Sequence, residues 1–206
     1  WFLAFNFDSG RATSNWHLRK ALQLVTDPSE LVNRIIKLPG NLPGKSLFPV
    51  WLQGVNGFFR QEYPAPQIAL DASAAREHLR LAMEELGLDE PPSLALLVDD
   101  TPGAGRQAEY FQNLYGTQLG IDIRIDRQIF KQRLAKMQNQ DFDLATYGWG
   151  PDFADPLTFG ELFASWNPNN NGRFSNQEYD QSVRLAQSSL DPHIRMNAFG
   201  RQQEIL

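Results

Sequence analysis

Cysteine is absent from this chain of 206 residues, and histidine is scarce, with three in all. Without cysteine, disulfides, thiolate nucleophiles and Cys-ligated metals are excluded, although no compartment is thereby chosen. His17, His78 and His193 lie far apart in the sequence and form no H-x-x-x-H or acid-linked spacing. A metal site or catalytic triad built on them has no support, and surface or half-buried helix positions are expected instead. Serine in a G-x-S-x-G elbow is also missing, so acyl transfer has no basis.

The sequence also lacks an excess of positive charge and a long apolar run. Its formal net charge is −5 and its Lys and Arg residues are scattered, so no basic stripe forms and nucleic acid is not an expected partner. No apolar run approaches the ~18–20 residues that a transmembrane helix needs. What remains is an ordinary globular composition, 42% hydrophobic and 21% charged, at a length that suits one well-cored α/β domain.

Both ends of the sequence resemble the interior of a longer gene product. The chain begins with WFLAFNF, without an initiator Met, a charged leader or a cleavage site, and it stops at RQQEIL within an apolar helical pattern. Neither end carries the signals that mark a natural start or a helix stop. We therefore expect residues 1–206 to be a piece excised from a longer protein.

Local signals predict the elements of the first third. Residues 2–6 are typical of a short apolar strand, and a helix follows with Asn15 as its N-cap. Asp27, with a proline in the first turn and Glu30 completing a capping-box-like pair, predicts the start of a second helix. Between residues 39 and 66, five prolines and several glycines exclude a regular element over most of the length, which predicts a long surface loop.

The middle of the chain alternates helices and strands. A helix is predicted over residues 71–87, with Asp71 as its cap and Gly87 just past its end. The elements predicted after it are a strand at 93–98, a helix at 106–120, a strand at 121–126, a helix at 127–138 and a strand at 142–149. This rhythm is typical of parallel strands joined by right-handed crossovers, so the predicted fold class is α/β.

The last third is predicted to be helical. Ser175 and Glu178 form a capping box at the start of one helix, and Asp191 followed by Pro192 opens the next. Residues 167–172, NPNNNG, read as a turn between the regular elements.

The stretch GAGRQA at residues 103–108 imitates a dinucleotide-binding fingerprint. It follows a predicted strand, it opens a predicted helix, and Asp122 lies downstream at the distance of a ribose-binding acid. The fingerprint needs its first glycine at the end of the strand, however, and here DDTP intervenes, with Pro102 directly before the glycine. A plain strand-to-helix loop is the better interpretation, and an NAD-dependent enzyme is kept only as the last alternative.

The segment YGWGPDFADP at residues 147–156 indicates a ligand site. It directly follows FDLAT, an apolar stretch expected to form an interior strand, and open α/β sheets bind ligands beyond the carboxyl ends of such strands. Gly148 and Gly150 leave the backbone open to close approach by an extended peptide. Trp149 offers a flat apolar wall, and Asp152 offers an acceptor suited to an ammonium group.

The same residues also have a purely structural interpretation. Trp149 can pack in the core, and Asp152 can turn the chain or cap the helix expected to begin near Asp155 and Pro156. Residue chemistry alone leaves both interpretations open. Two aspartates three residues apart, Asp152 and Asp155, allow one to cap the helix while the other faces a ligand.

Five stretches of the chain, taken in order, resemble the C-terminal lobe of bacterial extracellular solute-binding proteins of family 5, the peptide-binding class. They are FLAFNF, LRKALQLVTDPSELVNRI, YFQNLYGTQLGIDIRID, DFDLATYGWGPDFADPLTF and NNNGRFSNQEYDQSVRLAQSSLDPHIR. The resemblance covers essentially the whole chain. It implies that residues 1–206 form a single type II periplasmic-binding-protein-like lobe, with a mixed, mostly parallel sheet flanked by helices and a helical C-terminal third.

The resemblance also implies roles for the residues of the predicted site. Asp152 matches the aspartate that meets the α-ammonium of a bound peptide, and Trp149 matches the tryptophan beside it. Gly148 and Gly150 fall where the family pairs its backbone with the peptide main chain.

Two residues outside that core of the site are added by the resemblance. Phe130 falls where some members place an aromatic wall, at the start of the preceding helix. Thr146 occupies a position that is an arginine in some oligopeptide binders, so the role of that charge does not carry over.

The function implied by the resemblance is that of a non-enzymatic substrate-binding component of an ABC importer for peptides, without cofactor or metal. The implied partners are a peptide ligand, an N-terminal lobe of the same protein and a membrane permease, with no nucleic acid contact by this lobe. The implied location is periplasmic or extracellular, membrane-associated through the transporter. The family also carries nickel chelates and sugars, so the ligand stays open, and an alternative is the ligand-sensing domain of a transcriptional regulator.

Overall fold

A computed structural model describes residues 1–67 and 69–206 of the chain. The chain divides into two compact units, Trp1–Pro43 with Ile68–Gly148 and Gly44–Gln67 with Trp149–Leu206. The regular elements in chain order are β1 (Phe2–Phe5), a 3₁₀ turn (Ala12–Ser14), α1 (Trp16–Val25), α2 (Pro28–Glu30), a π-helix (Leu31–Ile36), α3 (Phe59–Glu62), α4 (Ala72–Leu86), β2 (Ser93–Asp99), α5 (Pro102–Leu119), β3 (Asp122–Gln128), α6 (Phe130–Gln138), β4 (Leu144–Tyr147), α7 (Leu157–Gly160), a 3₁₀ turn (Glu161–Phe163), α8 (Gln177–Ser188) and α9 (Pro192–Ile205). Within the described ranges, no helix has both the length and the apolarity that crossing a bilayer requires.

The first unit is built on a mixed sheet. Over the described residues its four strands lie in the order β1-β4-β2-β3, with β2 parallel to both β3 and β4 and β1 antiparallel to β4. Helix α5 connects β2 to β3, and α6 connects β3 to β4. Such crossovers are what parallel pairing requires. The predicted α/β class and the mixed, mostly parallel sheet flanked by helices are confirmed.

Side chains of β2, an interior strand, alternate between the two faces of this sheet. Leu96 and Val98 belong to the core that contains residues of α1, α4 and α5. Leu97 instead packs with Ala145 of β4 and Met137 of α6. Because both faces are covered, β2 reads as a nearly continuous apolar run rather than as an alternating one.

Capping residues place most helix starts where the sequence predicts them. The side chains of Asn15, Asp27, Asp71 and Asp191 each accept a backbone amide hydrogen bond at the start of α1, α2, α4 and α9. Gly87 ends α4 in the left-handed region, at φ 65°. The predicted caps are thus confirmed. They form at these positions because they satisfy amides and carbonyls that the helix itself leaves unpaired.

Two capping predictions are wrong. The cap of α8 is Asn176, whose side chain accepts an amide hydrogen bond at 2.9 Å, and not its neighbour Ser175. Glu30 does not close a capping box, because its carboxylate accepts hydrogen bonds from Arg34 at 3.3 Å and from the hydroxyl of Tyr110 at 3.2 Å. A partner on α5 therefore replaces the predicted local one.

The stretch GAGRQA lies inside α5 rather than in a loop. The helix begins at Pro102, and the hydroxyl of Thr101 caps it by accepting an amide hydrogen bond at 3.3 Å. Gly103 and Gly105 are therefore helical residues of the first turns. The loop predicted for this stretch is wrong, and the glycine-rich turn that a dinucleotide fingerprint needs after its strand is not formed by these described residues.

The second unit is helical, as predicted for the last third of the chain. Helices α8 and α9 are joined by a short turn and pack against each other. One core of this unit combines Phe48 and Phe59 with Phe159 and Phe199. The loop predicted for residues 39–66 is confirmed over most of its length, with α3 as a short exception.

One side chain of α9 ties this loop to the helices of the second unit. The amide nitrogen of Gln203 donates to the carbonyls of Tyr63 at 3.0 Å and Pro64 at 3.2 Å. Its amide oxygen accepts a hydrogen bond from the hydroxyl of Ser46 at 2.8 Å. Residues 44–67 are thus an integral part of the second unit rather than a free surface loop.

Two of the three histidines meet between α1 and α4, although they are far apart in sequence. The Nδ1 atoms of His17 and His78 lie 2.8 Å apart, so one ring donates and the other accepts, and the accepting ring must be neutral. Burial lowers the pKa of His78, and the nearby positive charges of His17 and Lys20 lower it further, with Glu77 acting in the opposite direction. Glu85 lies 3.7 Å from Nε2 of His17. Half-buried helix positions are confirmed for this pair.

The histidine pair predicts an acid-sensitive stability. The lowered pKa of His78 means that the unfolded chain takes up its proton more readily, so the contribution of the pair is complete above the unfolded pKa of about 6.5 and is lost as the pH falls below it. Losing one hydrogen bond of about 1 kcal/mol should lower Tm by about 2–4 °C. We expect thermal unfolding to give a Tm that is lower by this amount at about pH 5.5 than at about pH 7.5, and we expect His78→Gln to remove this difference. An equal pH effect in both proteins would contradict it.

Candidate functional site

The chain passes from the first unit to the second at Gly148 and Trp149, inside the segment YGWGPDFADP. Three of the predicted site residues therefore belong to each unit. Those of the first unit are Phe130, Thr146 and Gly148, and those of the second are Trp149, Gly150 and Asp152.

Two of the candidate site residues of the first unit follow the carboxyl ends of its strands. The parallel strands β2, β3 and β4 end at Asp99, Gln128 and Tyr147, which puts their carboxyl ends at one edge of the sheet. Phe130 comes two residues after β3, and Gly148 comes directly after β4. This is the edge at which open α/β sheets bind ligands.

Phe130 and Thr146 differ sharply in accessibility. Phe130 is the first residue of α6 and its side chain is 67% exposed. The guanidinium carbon of Arg133, one turn later, lies 5.5 Å from the centroid of its ring. Thr146 is only 8% exposed, and its place in β4, next to Ala145, directs it to the opposite face from α6. Of the two, Phe130 is the one available for ligand contact.

The two glycines of the segment have different surroundings. A Cβ on Gly148 would come within 3.1 Å of the indole of Trp1, a ring that is itself 81% exposed. A Cβ on Gly150 would meet nothing within 4 Å. The backbone at Gly150 is therefore open to another molecule, whereas that at Gly148 is flanked by an aromatic ring that sequence reasoning did not include.

Thr158 organises the part of the segment that lies in the second unit. Its buried hydroxyl accepts hydrogen bonds from Nε1 of Trp149 and from the backbone amide of Asp152, both at 3.4 Å. Trp149 is half-buried and packs against the core that contains Phe159. The indole is thus fixed in orientation while part of it stays accessible, so the structural interpretation is confirmed and the ligand-facing one stays a prediction.

The two aspartates of the segment have separate surroundings. The carboxylate of Asp155 accepts the amide of Leu157 at 2.9 Å, at the start of α7, and the guanidinium of Arg195 at 2.9 and 3.0 Å. Asp152 is exposed, and its carboxylate accepts no hydrogen bond from residues 1–67 or 69–206. One aspartate is therefore occupied by the fold, and the other presents an unshared negative charge to solvent.

The exposed carboxylate of Asp152 suits recognition of a cation. A carboxylate without a partner in the described part of the chain can accept hydrogen bonds from an ammonium group. In the described part of the chain, no group of three or more His, Asp or Glu side chains is placed to hold a metal ion.

Three residues of this region could not be assigned from the sequence. Thr158 carries no motif, Arg195 lies 40 residues from its partner Asp155, and Trp1 precedes the first strand. The antiparallel pairing of β1 with β4 brings Trp1 to the edge at which β4 ends. An indirect sequence signal exists only for the position of Trp1, because both strands of this pair are visible as apolar stretches.

The fold of this chain is shared with binding proteins of known structure. The chain superimposes on a crystal structure described as the peptide-binding protein of a peptide ABC transporter, with a TM-score of 0.90, 30% identity, and coverage of 98% of this chain and 91% of that chain. For an oligopeptide ABC transporter substrate-binding domain from Bacillus anthracis the TM-score is 0.91 at 30% identity, covering all of this chain and 40% of that one. The fold is that of a solute-binding protein.

Sequence comparison identifies the family. Residues 1–171 match the model described as bacterial extracellular solute-binding proteins, family 5 Middle, and the chain belongs to that family. The dipeptide-binding protein of Lactococcus lactis is 31% identical over 186 residues, which cover 89% of this chain and 34% of that protein. The oligopeptide-binding protein OppA of Bacillus subtilis is 25% identical over 209 residues, covering 98% and 36%. The chain thus spans about a third of the length of these relatives.

The different roles of the two aspartates predict different effects on stability. Asp155→Ala should lower the free energy of unfolding by about 1–2 kcal/mol, because the helix start loses its acceptor and Arg195 loses its carboxylate partner. Asp152→Ala should change it by less than about 0.5 kcal/mol, as for an exposed side chain without partners. Urea unfolding of the 206-residue chain measures both. Equal losses in the two variants would show that Asp152 is also part of the structural framework.

Proposed function

We propose that this chain is one lobe of a two-lobe protein that captures peptides for an ABC importer, and that it supplies one wall of the peptide cleft. The observation that carries the proposal is the carboxylate of Asp152, which is exposed and unshared while Asp155 is fully engaged. Family membership and the names of the relatives support it. The other wall belongs to the N-terminal lobe of the same protein, and a membrane permease receives the ligand.

The proposed mechanism is closure of the two lobes on an extended peptide. Asp152 binds the terminal ammonium, Trp149 lines the site beside it, and the backbone at Gly148 and Gly150 pairs with the peptide main chain. Main-chain pairing tolerates many ligand sequences, because it does not involve the ligand side chains. Phe130 adds an aromatic surface at the carboxyl edge of the first unit, and Thr146 contributes least because it is buried.

The rest of the proposal follows from this role. Binding and release require neither a cofactor nor a catalytic residue, and the lobe makes no contact with nucleic acid. The full-length protein acts in the periplasm or outside the cell, where it associates with the membrane through the transporter. The relatives named above are peptide-binding proteins, so the alternative of a ligand-sensing domain in a regulator gains no support.

Removal of the Asp152 charge tests the proposal directly. In the full-length protein, Asp152→Ala should weaken binding of tri-alanine by about 2–5 kcal/mol, the cost of leaving a buried ammonium without its partner. N-acetylation of tri-alanine should weaken its binding to the unaltered protein to a similar extent, and should have no further effect in the variant.

Isothermal titration calorimetry measures these affinities, and Asp89→Ala, which removes an exposed aspartate of the first unit, is the control. If the unaltered protein binds tri-alanine and its N-acetylated form equally well, the proposed role of Asp152 is wrong.

Gly150 provides a second test, of main-chain pairing. Gly150→Ala places a methyl group in open space at a residue without a positive φ, so stability should change by less than about 0.5 kcal/mol. Peptide affinity should fall by about 1–3 kcal/mol, because the methyl group occupies the space into which the peptide backbone packs. Gly44→Ala, also in open space in the second unit, is the matched control. Unchanged tri-alanine affinity in Gly150→Ala would place the peptide main chain elsewhere.

A further inference from the structure

A buried cation lies at the carboxyl edge of the first unit and is not used by the proposed mechanism. Arg133 of α6 is only 7% exposed. Its Nε donates to Oδ1 of Asp99, the last residue of β2, at 2.6 Å, and its NH1 group contacts the sulfur of Met137 at 3.3 Å. A charge buried to this extent is tolerated only with a well-placed partner, so the Asp99–Arg133 pair holds the guanidinium in one position.

This fixed guanidinium faces an exposed aromatic ring. Its carbon lies 5.5 Å from the ring centroid of Phe130, within the range of a cation–π interaction. The ring itself is 67% exposed. An exposed phenyl ring at the first position of a helix can take several rotamers, and a cation held from behind by Asp99 favours the one that faces it.

Two further apolar side chains extend the surface of Phe130. Ile129 precedes it, and Leu134 lies one turn later on α6, at the i+4 spacing that brings helix side chains together. All three are exposed. We name these three residues the α6 shelf. Exposed apolar side chains at the edge where an α/β sheet binds its ligand are suited to a contact with that ligand.

We propose that Arg133, held by Asp99, is a positioning residue that orients Phe130 so that the α6 shelf receives an apolar side chain of the bound peptide. This inference rests on the proposed function and adds a side-chain preference to it. Tolerant main-chain pairing accounts for general affinity, and the shelf accounts for preference for an apolar residue at one ligand position.

The test compares side-chain preference rather than affinity alone. Titration calorimetry on the full-length protein uses tri-alanine and the three tripeptides in which one alanine is replaced by phenylalanine. We expect at least one of these three to bind roughly tenfold more tightly than tri-alanine, as burial of an aromatic side chain allows. Phe130→Ala and Arg133→Met should each reduce that ratio severalfold, and in Arg133→Met the affinity for tri-alanine should change by less than about twofold. Arg133→Lys, which keeps the positive charge, should recover part of the ratio.

A second ion pair of the same helix provides the matched control. Lys136 binds Oδ2 of Asp126 at 2.6 Å and so also anchors α6 to the sheet, six residues beyond Phe130. Lys136→Met should leave the ratio unchanged. Asp99→Asn, which keeps the side-chain volume, replaces Arg133→Met if that variant does not fold.

The outcomes separate this inference from the proposed function. If Arg133→Met and Lys136→Met lower the ratio equally, or if tri-alanine loses as much affinity as the phenylalanine peptides, Arg133 has only a structural role and the inference is wrong. If none of the three peptides binds more tightly than tri-alanine, the shelf is not a side-chain site. If the unaltered protein binds no peptide, the proposed function fails, and the inference fails with it.

Discussion

Parallel pairing of β2 with both β3 and β4 is the constraint on which the first unit depends. Each parallel step needs a crossover, so α5 and α6 must connect these strands, and they pack on the sheet they connect. The carboxyl ends of the three strands then share one edge. The positions of Phe130 at the start of α6 and of Gly148 just beyond β4 follow from this topology. Two residues of the proposed site, which lie far apart in sequence, are thereby placed at the same edge of the sheet.

The parts of the fold that sequence could predict are those whose signals are local. The cap at Asn15 bonds to a backbone amide three residues away, so the whole interaction lies within one short stretch. At α8, Ser175 and Asn176 are both good caps, and the pattern alone does not choose between neighbours. The capping box predicted at Glu30 does not form for a different reason, because Tyr110, 80 residues later, provides a competing partner.

The candidate site shows the same division between local and distant information. Residue types and order identified the segment around Asp152, and the resemblance to a family assigned the ammonium-binding role to that aspartate. The ion pair of Asp155 could not be predicted, since Arg195 reaches it from α9, 40 residues away. Likewise, the one-turn spacing of Phe130 and Arg133 is visible in the sequence, whereas the ion pair of Arg133 with the end of β2 depends on how α6 lies on the sheet. Hydrophobic periodicity carries no information about such distant charge pairs.

The second unit is made of two stretches, residues 44–67 and residues 149–206, separated by most of the first unit. Phe48 and Phe59 of the early stretch share a core with Phe199 of α9. The early stretch is synthesised first, so the aromatic side chains of this stretch stay uncovered until the last helix has been made. During that interval the nascent chain carries exposed aromatic side chains, the kind of surface through which incompletely folded chains aggregate.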